Sequence, residues 1–377
     1  KTAYLCTECG AHSVKWAGQC PECSLWNTLT ETTLSAATGT RVSSVATRRL
    51  DELPEDIEFR HATGFDEFDR VLGGGLVPGA VVLLGGDPGV GKSTLLQQVA
   101  ANLTTQMPVC YATGEESLRQ IGQRSLRLGL DASAMNLLAD TSLENVLEQA
   151  RRCDARAVVI DSIQTMTSEK LPSAPGSVAQ LRESVGQLVQ FAKQSDVAVL
   201  IIGHVTKDGA IAGPRVVEHM VDTVRYFESD PASRYTMIRS VKNRFGASGE
   251  MGVFAMTETG FREVSNPSAI FLSRDSVNEP GSAVSVTWEG SRPMLVEIQA
   301  LVADGNSSYP KRLAHGVDQN RLALLLAVLQ RHGGIAINDE DVFVNVVGGL
   351  RINETAVDLP TVLAMVSSFR DRALPER

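Results

Sequence analysis

Leu83-Leu84-Gly85-Gly86-Asp87-Pro88-Gly89-Val90-Gly91-Lys92-Ser93-Thr94 is the stretch from which the fold of this chain is read. Gly86 to Ser93 spells G-x-x-x-x-G-K-S, with an apolar run from Ala80 to Leu84 before it and Leu95-Leu96-Gln97-Gln98-Val99-Ala100 after it. The pattern is strand, glycine-rich loop, helix. The glycines allow a tight backbone path, so successive N–H groups point into one cavity at a helix N-terminus, where phosphate is favoured. Gly86, Asp87, Pro88, Gly89, Val90, Gly91, Lys92, Ser93 and Thr94 are therefore the expected cradle of a nucleotide triphosphate, read as ATP. Lys92 is placed to reach the β- and γ-phosphates, and the Ser93 hydroxyl to hold Mg²⁺. The competing reading, a glycine-rich turn without a ligand, is disfavoured because the motif sits in the strand-to-helix setting its chemistry needs.

Outward from this loop, composition sets limits. The 377 residues predict two to three domains, and a hydrophobic content of 43% is ample for real cores. A net charge of −9 excludes a basic coat over the whole surface, so any nucleic-acid contact has to be local. No run of 18 apolar residues exists, and no membrane span is expected. No signal peptide is read, and because the chain begins at Lys1 without a Met its start is expected to be trimmed.

Four of the six cysteines lie in the first 23 residues, as Cys6-x-x-Cys9 and Cys20-x-x-Cys23. Paired C-x-x-C knuckles suit a tetrahedral four-thiolate Zn²⁺ site, structural because no coordination position is left open. So short a module needs the metal's binding energy to fold. A pair of disulfides is the alternative, which the reducing, cytoplasmic setting of a P-loop chain disfavours. Trp16 and Trp26 flank the cysteines and either cover the metal or face a partner; Cys110 and Cys153 are read as isolated, buried small apolar residues. Residues 1–30 are the finger and 31–58, rich in Thr, Ser and Ala and then acidic, a linker.

Residues 59–265 read as the ATPase domain. Phe65, Phe68, Val71 and Leu72 share a helical face that Gly73-Gly74-Gly75 ends. The strand at Val109 runs into Gly114-Glu115-Glu116-Ser117, and a carboxylate at the carboxyl end of such a strand can orient water for attack on a γ-phosphate. Glu115 is the preferred catalytic group, with a helix N-terminal charge as the plainer reading, better suited to Glu116. Ala157 to Ile160 is a buried strand ending in Asp161, which would hold Mg²⁺ through its water shell. Ser177 is an expected N-cap of a core helix running on from Val178. The strand Val197–Gly203 ends at His204, a candidate γ-phosphate sensor or a satisfied core histidine. The following glycine-containing loop carries Lys207 and Arg215, candidate contacts to DNA. Arg239 to Gly246 is a second basic cluster, either a solvated hairpin turn or an arm reaching ATP on a neighbouring subunit.

Together the four-cysteine finger, Gly86–Thr94, Gly114-Glu115-Glu116-Ser117, Asp161 and above all Lys242-Asn243-Arg244-Phe245-Gly246 resemble the bacterial RadA/Sms DNA-repair family, over the whole chain. The resemblance implies an α/β fold: a RecA-like P-loop ATPase core with an N-terminal zinc finger and a C-terminal α+β domain similar to the Lon protease domain. It implies hexameric rings, ATP hydrolysis stimulated by single-stranded DNA, and branch migration of recombination intermediates alongside the RecA recombinase. Lys242 and Arg244 are carried over as functional residues, completing the site from the neighbouring subunit.

Residues 266–377 carry the protease-like domain, with strands near 284–290, 294–302 and 341–349 and helices near 320–330 and 361–369. By motif order the protease nucleophile would fall within Glu354–Pro360, near Asp358, where no Gly-Pro-Ser-Ala-Gly pattern occurs; a carboxylate cannot replace the serine, so a scaffold is expected. The family's domain is expected to continue past Arg377, which makes this a shortened chain. Lys311-Arg312 is a candidate duplex-DNA contact, with a solvated loop as the plainer reading. Three alternatives to a ring motor stay open. A passive strand-exchange filament would show no translocation-dependent branch movement, an ATP-dependent protease would hydrolyse peptides, and a nucleotide-switched scaffold would show no stimulation by DNA.

Overall fold

Strands buried on both faces need apolar side chains on both, and the stretches around the phosphate loop supply them. The computed structural model describes residues 2–6, 12–22, 24–33, 49, 59–204, 213–229, 234–273, 279–305, 309–337 and 339–375. Two units result: residues 1–229 with 236–263, and residues 230–235 with 264–377.

The first strands, β1 (Thr2–Cys6), β2 (His12–Ser13) and β3 (Leu29–Thr33), form a small antiparallel sheet in the order β2-β1-β3. Helix α1 (Asp66–Leu72) follows and turns its apolar side inward; Gly73, at φ 93°, closes it in a left-handed conformation that a Cβ would strain. Then come β4 (Val81–Gly86), α2 (Lys92–Leu103), β5 (Val109–Thr113), α3 (Leu118–Leu128), β6 (Asn136–Ala139), α4 (Leu143–Arg152) and β7 (Ala157–Asp161). The unit continues with α5 (Val178–Ser195), β8 (Ala198–His204), α6 (Gly213–Glu218) and β9 (Thr223–Ser229), and closes with β10 (Tyr235–Asn243), β11 (Met251–Thr257) and β12 (Gly260–Glu263). The expected N-cap is present, with the Ser177 side chain accepting from the Gln180 amide.

These strands make one nine-stranded sheet in the order β12-β11-β10-β9-β4-β8-β7-β5-β6. From β9 to β6 the pairs are parallel, while β9–β10 and β11–β12 are antiparallel. Alternation along β4 shows the layers: Val82 and Leu84 join Leu95, Leu96 and Val99 of α2, whereas Val81 and Leu83 join Val185, Leu188 and Phe191 of α5. The strand bearing Asp161 is separated from the P-loop strand by β8, the RecA-like order. The parallel strands bring their carboxyl ends to one edge, so the residues after β4, β5, β7 and β8 converge there.

The second unit is α+β. Its sheet, in the order β13-β14-β16-β15, is built from β13 (Ser282–Glu289), β14 (Arg292–Ala303), β15 (Arg312–His315) and β16 (Asp341–Val346), with α7 (Gln319–Gly333) and α8 (Asp358–Phe369). The strand expected over 341–349 stops at Val346, because Gly348 at φ 79° turns the chain. On β13 the polar residues face inward: Ser285 and Thr287 are buried, and Glu354 accepts from Thr287 Oγ1 (3.2 Å) and the Trp288 amide (3.2 Å).

Candidate functional site

The phosphate loop is held in shape by Lys92. The residue is only 3% exposed, and its ammonium donates to the carbonyl oxygens of Gly86 (2.8 Å) and Asp87 (2.9 Å). Burial pulls its pKa below the usual lysine value, opposed by the nearby charges of Asp161, Glu115 and Asp87. Gly91 starts α2 at φ 99°, and a Cβ there would meet the Met256 methyl and the Phe261 ring at 2.6–2.7 Å. Only glycine fits both the conformation and the space.

Asp161 ends β7 almost fully buried. Burial raises the pKa of its carboxyl, while hydrogen bonds from Tyr111 and Ser93 lower it. The Tyr111 hydroxyl donates to Asp161 Oδ2 at 2.7 Å; its own pKa is pushed well up by burial and by that carboxylate, so it stays a donor. A buried carboxylate beside a hydroxyl is a hard oxygen donor set, which fits Mg²⁺. Ser93 and Asp161 are thus the residues that would hold the ion.

Glu115 follows β5. Its Oε1 accepts from the Ser162 hydroxyl and lies 3.1 Å from His204 Nε2. Both neighbours engage the same oxygen, which leaves Oε2 for another donor. Glu116 points elsewhere, making a two-pronged ion pair with Arg124 at 3.0 and 2.6 Å, while Arg124 also donates to Gln97 on α2. The paired acids are therefore unequal, one in the site and one bracing α3 against α2. Gln164 donates to the carbonyl oxygen of His204 (3.2 Å), fixing the point at which the chain leaves β8.

The structure brings Lys92, Ser93, Asp161, Glu115 and His204 to one edge of the sheet. It does not bring Lys242 and Arg244 there. Lys242 pairs with Val224, and Val224 with Leu83, midway along β4. Arg244 lies past the strand end, where Nη1 meets Asp222 Oδ1 at 3.3 Å, and Asp222 also accepts from the Val81 amide (3.0 Å) and Lys193 (2.8 Å). Along β4, Val81 lies five residues from Gly86, about 16 Å at the usual strand rise, and Leu83 three residues, about 10 Å. Lys242 Nζ donates to the carbonyl oxygens of Glu218 (2.9 Å), His219 (3.2 Å) and Val221 (2.8 Å), just after α6. Burial lowers its pKa, with Arg244 adding to the effect.

Cys6 and Cys20 are buried together with Leu29, and the turn after Cys20 closes by Ser24 N–H donating to the Cys20 carbonyl at 2.9 Å. Two thiols buried in a module with almost no other core among its described residues fit a metal site. Cys9, Cys23 and Lys207 lie outside the described residues, as does the Arg215 side chain. Trp16 and Trp26 are 60% and 69% exposed. Contrary to the expectation that they are isolated, Cys110 and Cys153 share one apolar cluster, where Cys153 is only half-buried and its Sγ donates to the Ala150 carbonyl at 3.5 Å. Asp358 is engaged by Arg321, which donates Nη2 to Oδ2 at 2.7 Å. Tyr111, Ser162, Gln164 and Arg124 escaped the sequence reading because each gains its role from a partner on another strand or helix.

Residues 46–210 match the AAA domain family and residues 4–31 the rubredoxin metal binding domain family. A DNA repair protein RadA of Pseudomonas aeruginosa is 54% identical, covering 100% of this chain and 84% of that protein. One from Escherichia coli (strain K12) is 52% identical with the same coverage, and one from Bacillus subtilis (strain 168) is 44% identical, over 98% and 83%. Among solved structures, that of the RadB recombinase is similar at a TM-score of 0.44 and 22% identity, over 54% of this chain and 99% of that one.

Proposed function

Since the chain belongs to the DNA repair protein RadA family, we propose that it is an ATP-driven DNA motor whose hydrolysis is stimulated by single-stranded DNA and which promotes branch migration of recombination intermediates. The observation that carries this reading is the Glu115–His204 contact of 3.1 Å. It ties the water-orienting carboxylate to the last residue of β8, which precedes the glycine-containing stretch expected to contact DNA. In this reading nucleotide state is passed on from β8 through a single hydrogen bond.

Hydrolysis proceeds by attack of water on the γ-phosphorus. Glu115 Oε2 takes a proton from the water, while Ser162 and His204 hold Oε1 and so orient the carboxylate. The new P–O bond replaces the bond to the β-phosphate oxygen, which leaves with its electron pair on ADP. Lys92 leaves the carbonyls of Gly86 and Asp87 to neutralise the β- and γ-phosphates. Ser93 and Asp161 would hold Mg²⁺, which would supply further neutralisation of phosphate charge. Lys242 and Arg244, placed far from the P-loop of their own chain, act on the nucleotide of a neighbour. This supports a closed ring, read as a hexamer, in which Lys207 and Arg215 contact the single strand. RecA recombinase is the proposed partner, zinc the proposed metal of the four-cysteine module, and the second unit a protease-like scaffold without peptidase activity.

The test is ATP hydrolysis with and without single-stranded DNA, paired with mass in solution. Stimulated turnover in a ring-sized particle supports the motor. Turnover indifferent to DNA in a monomer sinks it.

A further inference from the structure

Arg225 is the largest fully buried side chain of the described residues. It lies on β9 opposite Ser240, facing the side of the sheet on which Phe227 packs. Its Nη1 donates to the carbonyl oxygens of Lys242 (2.6 Å) and Val224 (2.9 Å). Its Nε and Nη2 have no partner among the described residues, and no carboxylate neutralises it there. Burial pulls the guanidinium down to about 9, which still leaves it charged at neutral pH. An unpaired buried cation is costly, so a structure that keeps one uses its donors for something an apolar side chain cannot do.

The register shows what that is. Ser240 pairs with Arg225, but the next pairing joins Lys242 to Val224, so Val241 is an extra residue on β10. A one-residue bulge transfers every following side chain to the opposite face. Without it, Lys242 would stand opposite Thr223, on Arg225's side of the sheet. With it, Lys242 shares the face of Val224 and reaches the carbonyls of Glu218, His219 and Val221. The bulge disturbs the ladder between β9 and β10, and Arg225 donates to carbonyls of both strands at that point.

We infer that Arg225 is a positioning residue: it locks the β10 bulge and thereby sets the face from which Lys242 and Arg244 act on the neighbouring subunit. The inference rests on the reading that these two residues work in trans. Arg225 pairs with Leu84, two residues before Gly86, so a purely structural role would also disturb the chain's own nucleotide binding, whereas a loosened bulge acting through Lys242 and Arg244 impairs the neighbour's site and spares that binding.

Subunit mixing separates the possibilities. Arg225→Met protein is compared with wild type for ATP affinity and for ATP turnover on single-stranded DNA, then mixed in equal amounts with Lys92→Ala protein, which lacks a working P-loop but carries an intact arm. Turnover of Arg225→Met alone is expected to fall at least about tenfold with ATP affinity unchanged. Random mixing should restore about a quarter of the wild-type rate, the fraction of interfaces that join a good P-loop to a good arm. Wild-type turnover in Arg225→Met, or a loss that mixing does not repair, overturns the inference. Should that variant fail to bind ATP, Arg225→Lys decides: its ammonium offers a poorer fit to two carbonyls, and turnover should drop at least about threefold at unchanged ATP affinity. Wild-type turnover there overturns the inference equally. Lys242→Ala mixed with Lys92→Ala is the control for the premise. No recovery in that mixture refutes action in trans itself, whereas recovery there without an Arg225 effect refutes only the role of Arg225.

Discussion

At the scale of single residues, Glu115 bears the chemical step in the proposed mechanism, and its isostere isolates that role. Glu115→Gln keeps a group that can bond Ser162 and His204 but cannot take a proton. ATP turnover is expected to fall about 10²-fold or more with ATP affinity kept; an unchanged turnover number would place the base elsewhere. Tyr111 offers a test through pH. Burial holds the Asp161 carboxyl above its ordinary range and the Tyr111 hydrogen bond pulls it back. Tyr111→Phe removes that bond, so the folded-state pKa rises further and proton competition with Mg²⁺ begins at higher pH. The Mg²⁺ concentration needed for half-maximal ATP binding should increase in the variant, and the gap from wild type should widen as pH falls towards the carboxylate range. Parallel pH profiles for the two proteins would contradict this. Lys92, Ser93 and Asp161 were legible in sequence because the P-loop and the strand ending in an acid are contiguous patterns. Tyr111 and Ser162 were not. The first sits mid-strand, two residues before Thr113, which pairs with Asp161, and only that register turns an ordinary strand tyrosine into a hydrogen-bond donor to the carboxylate proposed to hold the metal.

At the scale of elements, the join between β4 and α2 is the tightest point of the site. Gly91→Ala would place a methyl group against Met256 and Phe261 in a left-handed conformation. A cost of about 1–3 kcal/mol in unfolding free energy is expected from the backbone alone, together with weakened ATP binding because the first turn of α2 carries Lys92 and Ser93. Urea unfolding and equilibrium nucleotide titration measure the two effects; a variant as stable and as tight as wild type would show that the loop relaxes freely. Helix limits and the Ser177 cap could be read from periodicity and side-chain chemistry, which act locally. The bulge at Val241 could not. Arg239-Ser240-Val241-Lys242 holds no glycine and no other local mark of a bulge, and the guanidinium that donates to the Lys242 carbonyl comes from β9. The antiparallel extension β10 to β12 was missed for the same reason. Its apolar residues, such as Ile238, Phe254 and Phe261, enter a core already closed by α1 and α2, and nothing in the local sequence announces that destination.

At the scale of the whole molecule, the N-terminal module and the ATPase sheet draw stability from different sources. Cys6, Cys20 and Leu29 are the buried apolar residues of the first 33 that are described, and neither large cluster around the nine-stranded sheet includes any residue from that segment. So small a buried set cannot offset the conformational entropy of ordering some thirty residues, roughly 1–2 kcal/mol each for the backbone. Metal ligation by the four cysteines, as proposed above, would close the difference, and four thiolates would select a soft or borderline ion such as zinc over magnesium. Purified protein should therefore carry one zinc ion per chain by elemental analysis. A strong chelator should release it, open residues 2–33 to protease, and shift the emission of Trp16 and Trp26 in a Trp288→Phe background. ATP affinity should survive that treatment, because the phosphate loop stands on β4 and α2, whose buried residues Leu84, Leu95 and Leu96 owe nothing to the metal. Metal-free protein whose first 33 residues resist protease would mean that the module folds on its apolar contacts alone, and loss of ATP binding along with the metal would mean that the two modules fold as one.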